Sequence, residues 1–264
     1  MSRCSMNQPG AHPVKPVYSI IIPAYNESGR LRPTLDQVLS YGQERGWDLE
    51  ILVVDDGSRD NTTGIVREYG GRYPRVALLE NPENHGKGFS VRAGMLHARG
   101  DVCLFTDADL SSPMTEAPKL FEAIAAGADI AIGSRWLRAE LQREKQPLYR
   151  QLLGRIFNLL LRTMLGLNFA DTQCGFKAFR RDAAQRLFPL QKIERWGFDP
   201  EILFLARKLG MRVAEVPVVW AHSEGTRLHP FRAGLRMFGD VVRIRWNSLS
   251  GAYTGVVVPS AGKV

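Results

Sequence analysis

From Tyr18 onward, short apolar runs alternate with longer stretches whose apolar residues recur at helical spacing. Tyr18-Ser-Ile-Ile-Ile22 predicts a buried strand, and Leu31, Leu35, Val38 and Leu39 predict one face of a helix from about Gly29 to Gly46. Residues 50–55 predict a second strand, and 58–69 a second helix with Asp60 or Asn61 as its cap. Residues 75–80, 88–100 and 101–106 continue as strand, helix and strand. The later pattern is less regular. Strands are expected at 129–135, 171–181 and 212–220, with helices at about 148–165, 200–210 and 229–247.

Strands alternating with helices imply an α/β fold, a mostly parallel sheet flanked by helices and joined by right-handed crossovers. In such a sheet ligands bind beyond the carboxyl ends of the strands, so the loops that follow strands carry the chemistry. Here they are PAYNES (23–28), DDGSRDNT (55–62), NPENHGKG (81–88) and DADLSS (107–112). All four are polar and meet at one edge.

Asp107 and Asp109 stand one residue apart at the end of a buried strand, where alternate side chains can share one hard cation such as Mg²⁺ or Mn²⁺. Such an ion can neutralise a departing diphosphate. A carboxylate of Asp55 or Asp56 can accept from a base N–H or a ribose hydroxyl, or simply close a turn beside Gly57. Lys87, flanked by Gly86 and Gly88 at a helix start, suits an anion. A Walker loop and a GxGxxG after the first strand are both missing, which weakens ATPase and dinucleotide-dehydrogenase readings. His85 reads as a turn residue.

The 264 residues suffice for a single compact domain. A net charge of +8 favours anionic company, but the cations are dispersed among acids and no nucleic-acid-binding motif occurs. Cys4, Cys103 and Cys174 lack metal-ligand spacing, which fits a reducing, cytoplasmic setting. Cys103 reads as a core residue, and Cys174 has no evident His partner. No apolar run reaches the roughly 20 residues needed to cross a bilayer. Residues 1–16 read as a disordered leader, 17–247 as the folded domain with a nucleotide half (17–112) and an acceptor half (113–247), and 248–264 as a tail.

Together, SIIIPAYNE, ILVVDDGSRDNT, NHGKG and FTDADLSS resemble the inverting family 2 glycosyltransferases of the GT-A (Rossmann-like) fold. GSRW (133–136), the Pro-Leu-x-Arg at 147–150, DTQCGFKAF (171–179) and RWGFDPE (195–201) resemble the branch that transfers sugar to a polyprenyl phosphate, especially the dolichyl-phosphate β-glucosyltransferases. The resemblance covers about residues 17–247.

By position, it implies that Pro23, Ala24, Tyr25, Glu27 and Asp56 hold the nucleoside, that Lys87 and Asp107 lie near the diphosphate, and that Asp109 is the main metal ligand. Arg135 and Arg150 correspond to arginines that cradle the lipid phosphate, a role suited to a guanidinium fork. Asp171, Gln173 and Asp199 become candidates for sugar recognition or acceptor positioning, with Asp171 also a candidate base. Trp196 and Phe198 line the sugar or lipid entrance or belong to the core.

The implied reaction moves a hexose, glucose from UDP-glucose, onto an acceptor phosphate that is already anionic and needs no strong base. The product is a β-linked glycosyl phospholipid. Alternatives are a family 2 transferase with a mannose or N-acetylhexosamine donor or another acceptor, and a non-catalytic nucleotide-sugar-binding protein. Segment 229–247 places Phe231, Leu235, Phe238 and Val242 on one helical stripe and Arg232, Arg236, Asp240 and Arg243 on another. That amphipathic helix suits peripheral attachment to the inner face of a membrane, or packing on the core.

Overall fold

The computed structural model describes residues 16–138, 158–221 and 230–254, with the backbone alone for 230–235. Its strands are β1 (Tyr18–Ala24), β2 (Leu49–Asp55), β3 (Val76–Glu80), β4 (Val102–Thr106), β5 (Ile130–Ser134), β6 (Phe176–Arg180) and β7 (Val213–Pro217). They form one sheet in the order β3-β2-β1-β4-β6-β5-β7. β6 runs antiparallel to β4 and β5, and the remaining pairs are parallel.

The helices are α1 (Leu31–Glu44), α2 (Thr62–Arg72), α3 (Lys87–His97), α4 (Ala117–Ala125), α5 (158–165), α6 (Arg181–Leu187), α7 (Phe198–Lys208) and α8 (Pro230–Leu249). The period-2 alternation of the strands divides them between two cores. Ile20, Ile22, Ile51 and Val53 face α1, α2 and α4, whereas Ile21, Leu52 and Val54 face the layer containing α3 and α5 to α8. Each such side chain, fully buried, contributes about 1.5–3 kcal/mol. Cys103 is buried in the second core, as expected.

Three features differ from expectation. Helices α4 and α6 were not anticipated; α4 has a clear apolar face in Leu120, Phe121 and Ile124, but α6 is only seven residues long. β6 begins at Phe176, so 171–175 is a loop rather than strand. α8 continues to Leu249, and Tyr253 beyond it is buried, donating to Glu201 at 2.7 Å. The chain is therefore tied to the core past the expected boundary at 247. Among the described residues no helix is long and apolar enough to cross a membrane.

Candidate active site

The first two loops are joined by reciprocal hydrogen bonds. Asn26, at φ 55°, donates its backbone N–H to Ser58 Oγ at 2.8 Å and accepts that of Arg59 at Oδ1 at 2.8 Å. Glu27 and Ser28 N–H donate to Thr62 Oγ1 and Asp60 Oδ2 at 2.9 and 3.0 Å. Asp60 also accepts the Thr62 N–H at 3.0 Å, closing the first turn of α2, while Asn61 occupies the N-cap position without a side-chain cap bond. Burial opposes ionisation of Asp60, but the bonds from Thr62 and Ser28 prevail and hold its pKa at about 2.

At the end of β2 the two adjacent acids take different roles. Asp56 accepts from Asn81 Nδ2 and from the backbone N–H groups of His85 and Gly86 at 2.9, 3.1 and 2.7 Å, so it fastens the third loop to the second. Asp55 accepts from Gly57 and Ser58 N–H at Oδ2, and its buried Oδ1 has no hydrogen-bond partner. Pro23 and Ala24 close β1, and Tyr25 is exposed beside them. His85 stacks on Phe89 with centroids 4.3 Å apart, in keeping with a turn residue.

The third loop delivers Lys87, whose Nζ lies 2.5 Å from Asp107 Oδ1. Burial would lower the lysine's pKa, but Asp107 and Asp199 outweigh it and the net shift is upward. Asp107 packs on Gly175, where an added Cβ would stand 2.2 Å from Oδ2. Asp109 accepts from Ser111 N–H and Oγ at Oδ1, at 3.0 and 2.9 Å, and Arg30 Nη1 stands 3.8 Å from its Oδ2. Glu27 is adjacent; burial pushes its carboxyl up against the pull of Arg30, with Asp109 and Asp107 adding to the rise.

Further along, Arg135 makes a bidentate pair with buried Asp171, Nε to Oδ2 at 2.6 Å and Nη2 to Oδ1 at 2.9 Å. Asp171 also accepts the N–H of Arg135 and of Gln173, and its own N–H donates to Glu215 at 2.7 Å. Burial would raise the Asp171 pKa, but Arg135 prevails and the net shift is downward. A carboxylate so occupied is a poor base and an effective clamp on Arg135. Arg150 lies outside the described residues.

Asp199, in the first turn of α7, is buried against Lys177 Nζ at 2.5 Å. Burial pushes its carboxyl up despite Lys177 and Lys87. Phe198 is a core residue, whereas Trp196 is half exposed with Lys87 Nζ 5.3 Å from its ring. Cys174 is buried, and burial pushes its thiol up to about 11, which suits packing rather than nucleophilic attack.

Only some of these groups line one cleft of about 1140 Å³; Pro23, Ala24, Tyr25, Glu27, Asp55, Asp56 and Asp171 are not part of its lining. The site residues that do line it are Lys87, Asp107, Asp109, Arg135, Gln173, Trp196 and Asp199. Sequence reasoning thus placed seven residues on a shared surface. It missed Lys177, which lies beneath the cleft, and the stretch of α8 that walls it. Lys177 had a signal: it is the one charge in the apolar alternation Phe176-Lys-Ala-Phe179, at a position facing inward.

Residues 19–188 match the glycosyl transferase family 2 model. The dolichyl-phosphate beta-glucosyltransferase of Dictyostelium discoideum is 36% identical, with 92% of this chain and 78% of the relative covered. The Homo sapiens dolichyl-phosphate beta-glucosyltransferase is also 36% identical, over 89% of this chain and 76% of the relative. The chain belongs to glycosyltransferase family 2. Its fold is shared with a Mycobacterium tuberculosis glucosyl-3-phosphoglycerate synthase solved with Mn²⁺, UDP-glucose and phosphoglyceric acid. That match has a TM-score of 0.66 at 18% identity, over 94% of this chain and 82% of that one.

Whether this glycosyltransferase can hold a divalent ion is decided by its donors. Asp107 and Asp109 offer hard carboxylate oxygens in one cleft, Asp107 Oδ1 being paired with Lys87, and no cluster of three or more acidic, His or Cys ligands occurs among the described residues. Two carboxylates leave most of an octahedral shell for diphosphate oxygens and water, the pattern that Mg²⁺ and Mn²⁺ accept. The residues fit the ion.

Proposed function

We propose that this transferase moves glucose from UDP-glucose to a polyprenyl phosphate of the dolichyl type, with inversion, at a membrane surface. The observation that carries the reading is one cleft in which the Asp107/Asp109 pair and Lys87 share walls with cationic groups, in a chain 36% identical to dolichyl-phosphate beta-glucosyltransferases across about nine-tenths of its length.

In this reading Pro23, Ala24, Tyr25 and Glu27 border the nucleoside, and Asp55 supplies the acceptor atom for a base N–H, since its Oδ1 is unpartnered while Asp56 is occupied by the third loop. Asp107 and Asp109 would hold Mg²⁺ or Mn²⁺, which when bound supplies positive charge to the departing diphosphate. Lys87 adds a fixed cation beside them. Gln173, Asp199 and Trp196 border the space for the hexose.

No general base is assigned. A phosphate monoester is anionic near neutral pH, so the task is to hold two anions close enough for in-line attack. Asp171 acts here as the positioning group for Arg135.

Membrane contact is assigned to α8. Val241 and Ile244 face the core, while Phe238, Val242, Trp246 and Leu249 form an exposed stripe at 48%, 43%, 69% and 73% accessibility. Phe238 and Val242 belong to the stripe expected from sequence; Phe231 and Leu235 lie in the part whose side chains are not described. An exposed apolar stripe with Arg245 beside it suits the headgroup layer.

The test is incubation with radiolabelled UDP-glucose, Mg²⁺ and a polyprenyl phosphate, followed by organic extraction, beside a panel of other UDP and GDP sugars. Lipid-soluble label from UDP-glucose is expected. Label only from another sugar nucleotide would replace the donor, and none from any would remove the reading.

A further inference from the structure

An acceptor phosphate needs cations that are not already committed to the protein's own carboxylates. Along the cleft, Lys87 is paired with Asp107, Arg135 donates both Nε and Nη2 to Asp171, and Lys192 and Arg195, in the segment before α7, are exposed but share no element with an apolar stripe. Beneath it, Lys177 is paired with Asp199. Arg135, the arginine expected from sequence to cradle the phosphate, has its fork turned onto an internal partner.

Helix α8 also lines the cleft. Arg236, Asp240 and Arg243, spaced i, i+4 and i+7, line the cleft as one helical stripe. Both arginines are exposed, and neither stands in an ion pair within 4.0 Å among the described residues. Burial pushes the pKa of the intervening carboxylate up, against the pull of Arg243. Asp240 packs against Gly197, where an added Cβ would lie 2.3 Å from Oδ2, and it accepts the Gly197 N–H. It thus ties α8 to the loop before α7.

The same helix carries the exposed stripe of Phe238, Val242, Trp246 and Leu249 on another face. A molecule with a phosphate head and an isoprenoid tail has matching parts. Its head suits cations in the cleft, and its tail suits an apolar surface leading out of it.

We propose that Arg236 and Arg243 of α8 form the seat of the acceptor phosphate, and that the apolar stripe of the same helix leads the isoprenoid tail to the bilayer. The proposal rests on the function inferred above and adds residues to it. Anionic phospholipid headgroups carry the same phosphate chemistry, so the test separates the two sources.

Arg236→Gln, Arg243→Gln and the corresponding Lys variants are made in the full chain. The kcat and KM are measured with UDP-glucose and a short, water-soluble isoprenyl phosphate in the absence of vesicles. Each Gln variant is expected to raise the acceptor KM about tenfold or more, the loss of one charge-assisted hydrogen bond, while the KM for UDP-glucose stays within about twofold. The Lys variants should recover part of the loss, and UDP binding and thermal melting should be retained. An unchanged acceptor KM, with loss only of binding to phosphatidylserine vesicles, would assign the arginines to headgroups and overturn the proposal. If wild type transfers glucose to no phosphate acceptor, the function and the seat fall together; if wild type is active and the Gln variants match it, the seat alone falls.

Discussion

In the loops after β2 and β4, Asp55, Asp56 and Asp109 rest on backbone N–H groups, whereas before β6 and at the start of α7 Asp171 and Asp199 rest on the cations Arg135 and Lys177. The two arrangements leave different residues for a ligand. A carboxylate held by N–H groups is oriented and keeps whatever lone pairs are left over, which leaves Asp55 and Asp109 available to a ligand while Asp56, bonded also to Asn81, is occupied. A carboxylate held by a buried cation is neutralised as a pair, and its value lies in where it fixes that cation. The first group thus presents acids, apart from Asp107, which Lys87 holds. The second group immobilises its charges.

The largest effects should come from breaking a buried pair. Asp171→Ala would leave Arg135 without its bidentate partner in a buried site and should cost about 3–5 kcal/mol of stability. Denaturant unfolding measures it. Loss of activity with unchanged stability would instead make Asp171 a group acting on substrate, and would erase the distinction between the two groups.

Next comes the opposite kind of change. Asp109→Asn keeps shape and the bonds from Ser111 but removes the charge, so stability should hold while kcat falls about 10²–10³-fold. A steady-state transfer assay beside a melting curve reads both. Equal losses in the two would show that Asp109 is structural in the manner of Asp171.

A smaller effect is expected where the halves touch. Gly175→Ala places a methyl within 2.2 Å of Asp107 Oδ2, which must move away from its present contact with Lys87. Activity should drop about tenfold, as expected for a slight misplacement of a metal-binding group, with a shift in the Mg²⁺ concentration needed for half-maximal rate. An unchanged Mg²⁺ requirement would separate Asp107 from the metal.

What could be read in advance follows the same division. In the first half, parallel strands alternate with helices and each loop is local in sequence, so β1 to β4 and the loop acids were legible from periodicity and position. In the second half, the partners lie far apart along the chain: Arg135 with Asp171, Lys177 with Asp199, and α8 in one cleft with the loop after β4. No local pattern reports which cation meets which acid. The antiparallel insertion of β6 between β4 and β5 creates both pairings, and neither its direction nor its neighbours are written in its own alternation. The amphipathic pattern of α8 was legible, but a helix of that pattern can turn its charged stripe to solvent or to a cleft with equal periodicity. The resemblance to known transferases supplied Arg135 as a site residue, and only the structure showed how it is restrained.

The smallest predicted effect tests whether the N–H-held acids are as robust as their geometry implies. Asp60 joins the first two loops, and its pKa of about 2 lies below the ordinary carboxylate value of 3.8. Because the folded-state pKa is depressed, its contribution is fully present above about pH 4 and is lost as pH falls from there through about 2. Asp60→Asn should therefore lower stability by at most about 1 kcal/mol at neutral pH, since the side chain is largely exposed and water competes for its bonds. The difference between variant and wild type should narrow as the pH drops toward 2, when wild type becomes protonated as well. Urea unfolding at a series of pH values reads this convergence. A gap that stayed constant down to pH 2 would mean that shape, rather than charge, joins the loops, and the contrast between N–H-held and cation-held carboxylates would lose one of its supports.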